Sequence, residues 1–436
     1  MDEVNSTRLS SRLHRILSIP GHSYGGAHIR AAENVFSLAN PSGNIPIAIA
    51  ENKLVMDIMI EKINSLSYPA HVMNYTSSSG LPELKVVLSN FLSQRVFEVP
   101  GEVVSPAQLT ISAGCVALLA QLSYLLFEPG DSLLVPAPYY PAFDKDFLTF
   151  GEAQPVEVYL QEGIVSFGLT EDCLSEAFIR SLAQGKKPKA LLLTHPCNPT
   201  GTMYTAAELS LAARWCKEFG IHLLCDEVYA LSVHSTDTDD KFQSIVSVLG
   251  GDLGDHVHVM WSMSKDFGGS GLRLGVLYTQ NNKLQQGMQA TSDMFQVSNV
   301  MQSAVCQILS DDTFVDNYLH TCRSRIRDAY VTVITELKNI RTQGCPEGLP
   351  LAMVATAGIF VFVDLRSLLL EQTFAGESVL NDALVHKGVV MTPGSSCHAN
   401  VPGYFRLCFA WVSREALVEG IRRIGVYAHE IGVALP

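Results

Sequence analysis

The stretch KALLLTHPCNPTGTMYTAAELSLAARWCKEFGIHLLCDE, residues 189–227, decides the fold class. It opens on a short apolar run, KALLLTH (189–195), passes through an amphipathic segment of helical length, TAAELSLAARWCKEFG (205–220), and closes on a second apolar run, IHLLCDE (221–227). Apolar runs of that length separated by amphipathic helices read as buried parallel strands joined by crossover connections. From about residue 60 to 300 the alternation continues through QLTIS (108–112), SLLVPA (132–137) and HVHVMWS (256–262), so the expected class is α/β with a mostly parallel central sheet. In such sheets ligands gather at the carboxyl ends of the strands. The residues found there are Gly114 and Cys115, Tyr139 and Tyr140, Asn198, Asp226 and Ser262.

Beyond about residue 300 the pattern changes. A long helical stretch, SAVCQILSDDTFVDNYLHTCRSRIRDAYVTVITELKNI (303–340), leads into GIFVFVDL (358–365), GVVMTP (388–393) and GYFRLCFAWV (403–412), the mixture expected of a smaller α+β domain. A chain of 436 residues is too long for one ordinary core. We place an N-terminal arm and part of the small domain at 1–58, a large domain at 59–300 and a small C-terminal domain at 301–436.

Charge and composition exclude several functions. Net charge is −13 and the 30 Lys and Arg residues form no cluster longer than GKKPK (185–189), so no nucleic-acid surface is expected. The first twenty residues lack the uninterrupted apolar core of a secretory signal. The most apolar stretch, CVALLAQLSYLLF (115–127), is too short to cross a bilayer. Ten cysteines without paired or metal-type spacing read as reduced thiols, and no metal site is expected. These features point to a cytoplasmic protein acting on small molecules.

The chemistry centres on SMSKDFGGSGLRLG (262–275), where Lys265 stands among small and hydroxyl residues. A surface lysine beside a turn would look the same in isolation. A lysine that condenses with an aldehyde cofactor makes further demands, and the chain meets them. Ser262, Ser264 and Arg273 can bind a phosphate tail, with Gly114 and Cys115 opening a helix whose N–H groups point at the anion. Asp226 can hold a ring nitrogen protonated, Tyr229 and Asn198 can donate to a ring oxygen, and Tyr140 can stack on the ring.

HPCNPTG (195–201), CDEVYA (225–230) and the lysine segment, in that order, resemble the pyridoxal 5'-phosphate site of fold-type I class I and II aminotransferases. NPSG (40–43), AEN (50–52), GLPEL (80–84), EPGDSLLVPAPYYPAFDKD (128–146) and PGSSCH with PGYFRLCFA (393–410) are similar to the 1-aminocyclopropane-1-carboxylate (ACC) synthase subfamily. The resemblance implies Lys265 as the Schiff-base lysine and general base, and Arg406 as the clamp for a substrate α-carboxylate. It also implies a homodimer with shared active sites, in which Tyr75 reaches the cofactor phosphate of the neighbouring subunit. An amino acid or a substrate like S-adenosylmethionine follows, with transamination, β- or γ-elimination, or ring closure as the outcomes. Glu51, in AEN, aligns with an acid near the substrate entrance, although an acid there could instead cap the helix that follows.

Two positions depart from the subfamily. ACC synthases typically read YHGLPE, whereas this chain reads YTSSSGLPE, with Ser78 two places and Tyr75 five places before Gly80. Val116 stands where those enzymes often have Thr, which removes a hydroxyl from the phosphate cradle. Together these changes weigh against ring closure and leave elimination or transamination. A non-catalytic ligand sensor would usually carry an added module, for which the N-terminal arm leaves little room. A nicotinamide dehydrogenase is excluded because GGSGLRLG does not satisfy G-x-G-x-x-G.

Overall fold

The computed structural model describes residues 9–19, 25–99, 104–162 and 167–435. Its centre is a seven-stranded sheet of β1 (Leu109–Ser112), β2 (Asp131–Ala137), β3 (Gln154–Tyr159), β4 (Lys187–Thr194), β5 (His222–Asp226), β6 (Val257–Ser262) and β7 (Gly275–Thr279), in the order β1-β7-β6-β5-β4-β2-β3. Only β7 runs against its neighbours; β3, β2, β4, β5 and β6 pair in parallel.

Both faces of the sheet are covered, which explains why its strands read as continuous apolar runs. Along β4, Leu191 and Leu193 join one core with the helix Ala206–Phe219, while Ala190 and Leu192 join the other with the helices Cys115–Leu126 and Ala142–Phe150. The connection from β4 to β5 has clear local causes. Thr205 accepts from the Glu208 amide at 3.2 Å and Glu208 accepts from the Thr205 amide at 2.7 Å, a reciprocal cap that starts the helix. Gly220, at φ 65°, takes the left-handed turn that ends it.

Two strands of the sheet escape the reading of apolar runs. QPVEVY forms β3, an edge strand, where Pro155 and Glu157 are tolerated because one side of the strand has no ladder partner. GVLYT forms β7 immediately after the lysine-bearing turn, too close to it to stand out as a separate run.

The expected long helical stretch is two helices, Asn299–Leu309 and Asp312–Lys338. Asp311 divides them by accepting from the Phe314 amide at 3.0 Å, and Lys62 ion-pairs with the same carboxylate at 2.6 Å. After them comes a three-stranded antiparallel sheet of β8 (Phe360–Asp364), β9 (Thr392–Pro393) and β10 (Tyr404–Cys408), ordered β8-β10-β9. Ile45–Pro46 pairs in parallel with Val389–Val390, so an N-terminal segment is built into this C-terminal part of the chain. All ten cysteines are unpaired. Among the described residues no helix is long and apolar enough to cross a membrane.

Candidate active site

At the carboxyl ends of β4, β5 and β6 the chain encloses a cavity of about 210 Å³. Cys115, Tyr140, Asn198, Asp226, Tyr229, Ser262, Ser264, Lys265 and Arg273 all line it. The sheet brings together residues that are far apart in sequence because each stands at or just past a strand end.

Lys265 owes its position to the end of β6. Ser262 has extended backbone and accepts from the Ser264 amide at 3.1 Å, so the strand stops there and a single helical turn, Met263–Asp266, begins. The Ser262 hydroxyl also donates to the Leu274 carbonyl at 2.8 Å and contacts the Ser264 hydroxyl at 2.8 Å, which ties the lysine turn to the approach of β7. The Lys265 ammonium donates to the Ala50 carbonyl. Burial pushes its pKa down, and the charge of Arg406 adds to the effect against the opposing influence of Glu51.

Asp226 ends β5 and is buried, accepting from the Val228 amide at 3.3 Å. Burial raises its carboxyl to about 6, with Lys265 pulling the other way. It therefore stays largely ionised at neutral pH and is short of partners, a state suited to a protonated ring nitrogen.

The anion end of the cavity is a close meeting of three segments. Gly114, at φ 88°, precedes the helix Cys115–Leu126, whose first turn no side chain caps. A Cβ on Gly114 would lie 2.6 Å from the Arg273 guanidinium, so only glycine permits this approach. Arg273 donates to the Ser270 carbonyl at 2.9 Å and the Ala113 carbonyl at 3.2 Å. An uncapped helix N-terminus beside a guanidinium held by carbonyls is a ready anion cradle.

At the other end, Arg406 projects from β10 and is 2% exposed. It donates to Asn198 Oδ1 at 2.8 Å, to the Ala48 carbonyl at 2.8 Å and to Thr392 Oγ1 at 3.1 Å. Its Nε is buried with no hydrogen-bond partner. A buried guanidinium with neutral partners and one idle donor calls for an anion to complete it.

A sequence profile of the aminotransferase class I and II family matches residues 47–424. The chain belongs to that family. The ACC synthase 8 of Arabidopsis thaliana is 32% identical over 409 residues, spanning 89% of this chain and 83% of its own. The ACC synthase 1 of Cucurbita pepo is 30% identical over 406 residues, 90% of this chain and 80% of its own. Among solved structures, an aspartate aminotransferase double mutant of Thermus thermophilus superposes with a TM-score of 0.76 at 20% identity, covering 97% of this chain and 100% of that one. The N-succinyldiaminopimelate aminotransferase of Mycobacterium tuberculosis gives 0.76 at 19% identity, covering 97% and 100%. These neighbours share the fold-type I architecture.

Aminotransferases of this class are pyridoxal-phosphate-dependent enzymes, and so is this one. The residues present fit the cofactor: an uncapped helix with Arg273 for its phosphate, a buried anion in Asp226 for its ring, and a half-buried lysine amine between them.

Four expected site residues are not among those lining the cavity: Gly114 adjoins its lining residue Cys115 and Arg406 is bonded to its lining residue Asn198, whereas Tyr75 and Glu51 lie farther out. Tyr75 is fully exposed, at 102%, and touches no part of the cavity in its own chain. Glu51 is not a helix cap, since the following helix is Met56–Asn64 with Val55 at its start. Instead its carboxylate accepts from Trp411 Nε1 at 3.1 Å and from the hydroxyl of the cavity residue Ser270. The cavity also contains Thr194 and Asp146, which strand-end reasoning passed over. Asp146 lies one turn beyond Phe143 on the helix Ala142–Phe150, and its Oδ2 is buried without a partner. Its only signal was its place in YYPAFDKD. The carbonyls of Ala48 and Ala50 belong to the backbone and carry no side-chain signal.

Proposed function

We propose that this enzyme removes the Cα proton of an α-amino acid and expels a β or γ substituent, a lyase reaction of ACC-synthase-like type. The observation that carries the reading is the half-buried Lys265 amine, placed in one cavity with Asp226 and next to the incompletely bonded Arg406. Arg406 binds the α-carboxylate through its idle Nε and by exchanging neutral partners for a charged one. Lys265, its proton loosened by burial, takes the Cα proton as general base. Asp226 holds a positive charge opposite the lysine, while Asn198 links that end of the cavity to Arg406 at 2.8 Å. Bound pyridoxal phosphate supplies the electron sink for the pair left at Cα.

Substrate charge supports elimination of a neutral or cationic group. Beyond Lys265 and Arg273 the described residues lining the cavity include no further cation, whereas Asp146 and Asp226 are acids and Glu51 hydrogen-bonds to Ser270 at its edge. A dicarboxylic side chain would find no second guanidinium there. Glu51 also favours a second reading, ring closure of S-adenosylmethionine, because a carboxylate suits a sulfonium. We further propose a cytoplasmic homodimer, a reading supported by the unpaired cysteines and by the full exposure of Tyr75.

The test is to incubate holoenzyme with S-adenosylmethionine, S-substituted cysteines and a panel of protein amino acids and to identify products by mass spectrometry. A keto acid lacking the side-chain substituent, with ammonium and the expelled group, is the expected result. A keto acid that retains the whole side chain, with the cofactor left in its amine form, would replace elimination by transamination. A cyclic amino acid would establish ring closure.

A further inference from the structure

A second cavity, of about 550 Å³, lies between the segment that follows Tyr229 and the long helix Asp312–Lys338. It shares no lining residue with the first. Arg323, Ser324 and Arg327 enter it from the helix, with Thr236 from the facing segment. The two arginines are four residues apart and so occupy one helical face.

Neither of them is bonded to a carboxylate among the described residues. Arg95, Arg325, Arg366, Arg422 and Arg423 each have a carboxylate partner. Among the described residues Arg323 and Arg327 have none within 4.0 Å. Arg323 donates its Nε to the Leu231 carbonyl at 3.0 Å, and Arg327 donates one terminal nitrogen to the His234 carbonyl at 3.0 Å. Both guanidinium groups are thereby anchored by neutral oxygen atoms with donors to spare. Arg273 and Arg406, the arginines of the first site that await anions, are held in the same manner.

The acids in the cavity do not neutralise this pair. Asp316 is tied to Arg95 at 2.6 Å, leaving Glu98 alone against two cations. In a chain of net charge −13 such a local excess is out of keeping with the whole.

We propose that this cavity binds a small phosphate monoester, whose dianion is shared between Arg323 and Arg327 and whose oxygens reach the hydroxyls of Thr236 and Ser324. Two planar forks on adjacent turns match a tetrahedral oxyanion. The volume falls within the roughly 300–1,000 Å³ of small-molecule sites, so there is room for an organic group that inorganic phosphate would leave unfilled.

The test uses holoenzyme freed of excess cofactor in a phosphate-free buffer, titrated calorimetrically with glycerol phosphate, inorganic phosphate and sulfate. Glycerol phosphate is expected to bind saturably at one site per chain, more tightly than inorganic phosphate. Arg323→Gln and Arg327→Gln should each weaken it about tenfold or more, the scale of a charge-assisted hydrogen bond. Because those changes also release Leu231 or His234, Ser324→Asp is the second variant: it leaves both anchors in place and adds an anion to the cavity. It should abolish binding without altering the melting temperature or the cofactor absorbance. No saturable binding to the wild type, or undiminished binding to folded Ser324→Asp, would overturn the proposal. Inorganic phosphate binding as tightly as the monoester would overturn the choice of ligand.

Discussion

Lys265 and Asp146 are two half-buried ionisable groups of the same cavity, and desolvation drives both toward their neutral forms: the lysine pKa falls and the Asp146 carboxyl rises to about 7. For the lysine this suits the proposed role of general base, because only a neutral amine accepts the Cα proton. Lys265→Ala should fold, lose the long-wavelength absorbance of lysine-bound cofactor and lower turnover by at least about 10²-fold, as expected for removal of a general base. Retention of that absorbance would remove Lys265 from the reaction. For Asp146 the consequence is in stability. Burial is the main cause of its shift, and the charges of Asp226 and Asp144 reinforce it against Lys145. With the native pKa above the unfolded one, the native state holds the extra proton, so stability falls as pH rises from about 4 to about 7. Asp146→Asn cannot ionise and should flatten that fall, which amounts to up to about 1.4 kcal/mol per pH unit in denaturant titrations. Lys265 was legible because a lone lysine stands out among glycines and serines. Asp146 was not, since a carboxylate on a helix usually faces water and only the fold turns this one inward.

Strand ends and turns carry the rest of the site. The junction of β1 with the helix Cys115–Leu126 depends on Gly114, whose positive φ and 2.6 Å clearance from Arg273 leave no room for a side chain. Gly114→Ala should therefore displace Arg273 and weaken cofactor affinity, measured by dialysis and absorbance, while the fold survives; unchanged affinity would show that the anion cradle lies elsewhere. Another junction joins the two sheets. His398 follows the segment after β9, stacks on Tyr139 at 4.3 Å, and meets Asp144 at 2.8 Å and Glu157 at 3.2 Å. Tyr139 also donates to Asp144 at 2.8 Å. Burial alone would lower the His398 pKa, but the hydrogen bonds to the two carboxylates raise it to about 9. A raised histidine pKa stabilises the fold fully below its unfolded value of 6.5 and ceases to do so as pH climbs through about 9. His398→Gln should cost about 1 kcal/mol at neutral pH, a modest figure because all three groups are partly exposed, and should erase the alkaline loss seen in the wild type. That His398 spans from the Arg406 sheet to β3 and the helix Ala142–Phe150 follows only from the register of β9 and β10 and the edge position of β3. The strands buried on both faces were readable as apolar runs, whereas β3, half polar at an edge, required its neighbour β2 to define it.

At the scale of the whole molecule, the two sheets meet around the proposed substrate site: the large sheet carries Lys265 and Asp226 at its strand ends, and the small sheet carries Arg406 in the middle of β10. Within one chain, however, Tyr75 remains at the surface and fully exposed, although the family resemblance of YTSSSGLPE assigns it to the cofactor phosphate. A second copy of the chain resolves this tension if Tyr75 serves the neighbour's site. Tyr75→Phe should then reduce cofactor affinity by about 1 kcal/mol, the worth of one hydrogen bond, with no change in melting temperature of the cofactor-free protein. A hybrid distinguishes this arrangement from any effect within one chain. Combining a Tyr75→Phe chain with a Lys265→Ala chain leaves one site that has both its lysine and, from the other chain, its tyrosine. The remaining site lacks both. Hybrid dimers, isolated by differential tags, should regain wild-type cofactor affinity and about half of wild-type turnover per dimer if the tyrosine crosses the interface. If Tyr75 acts on the site of its own chain, the only lysine-bearing site in the hybrid lacks the tyrosine hydroxyl and the weakened affinity persists.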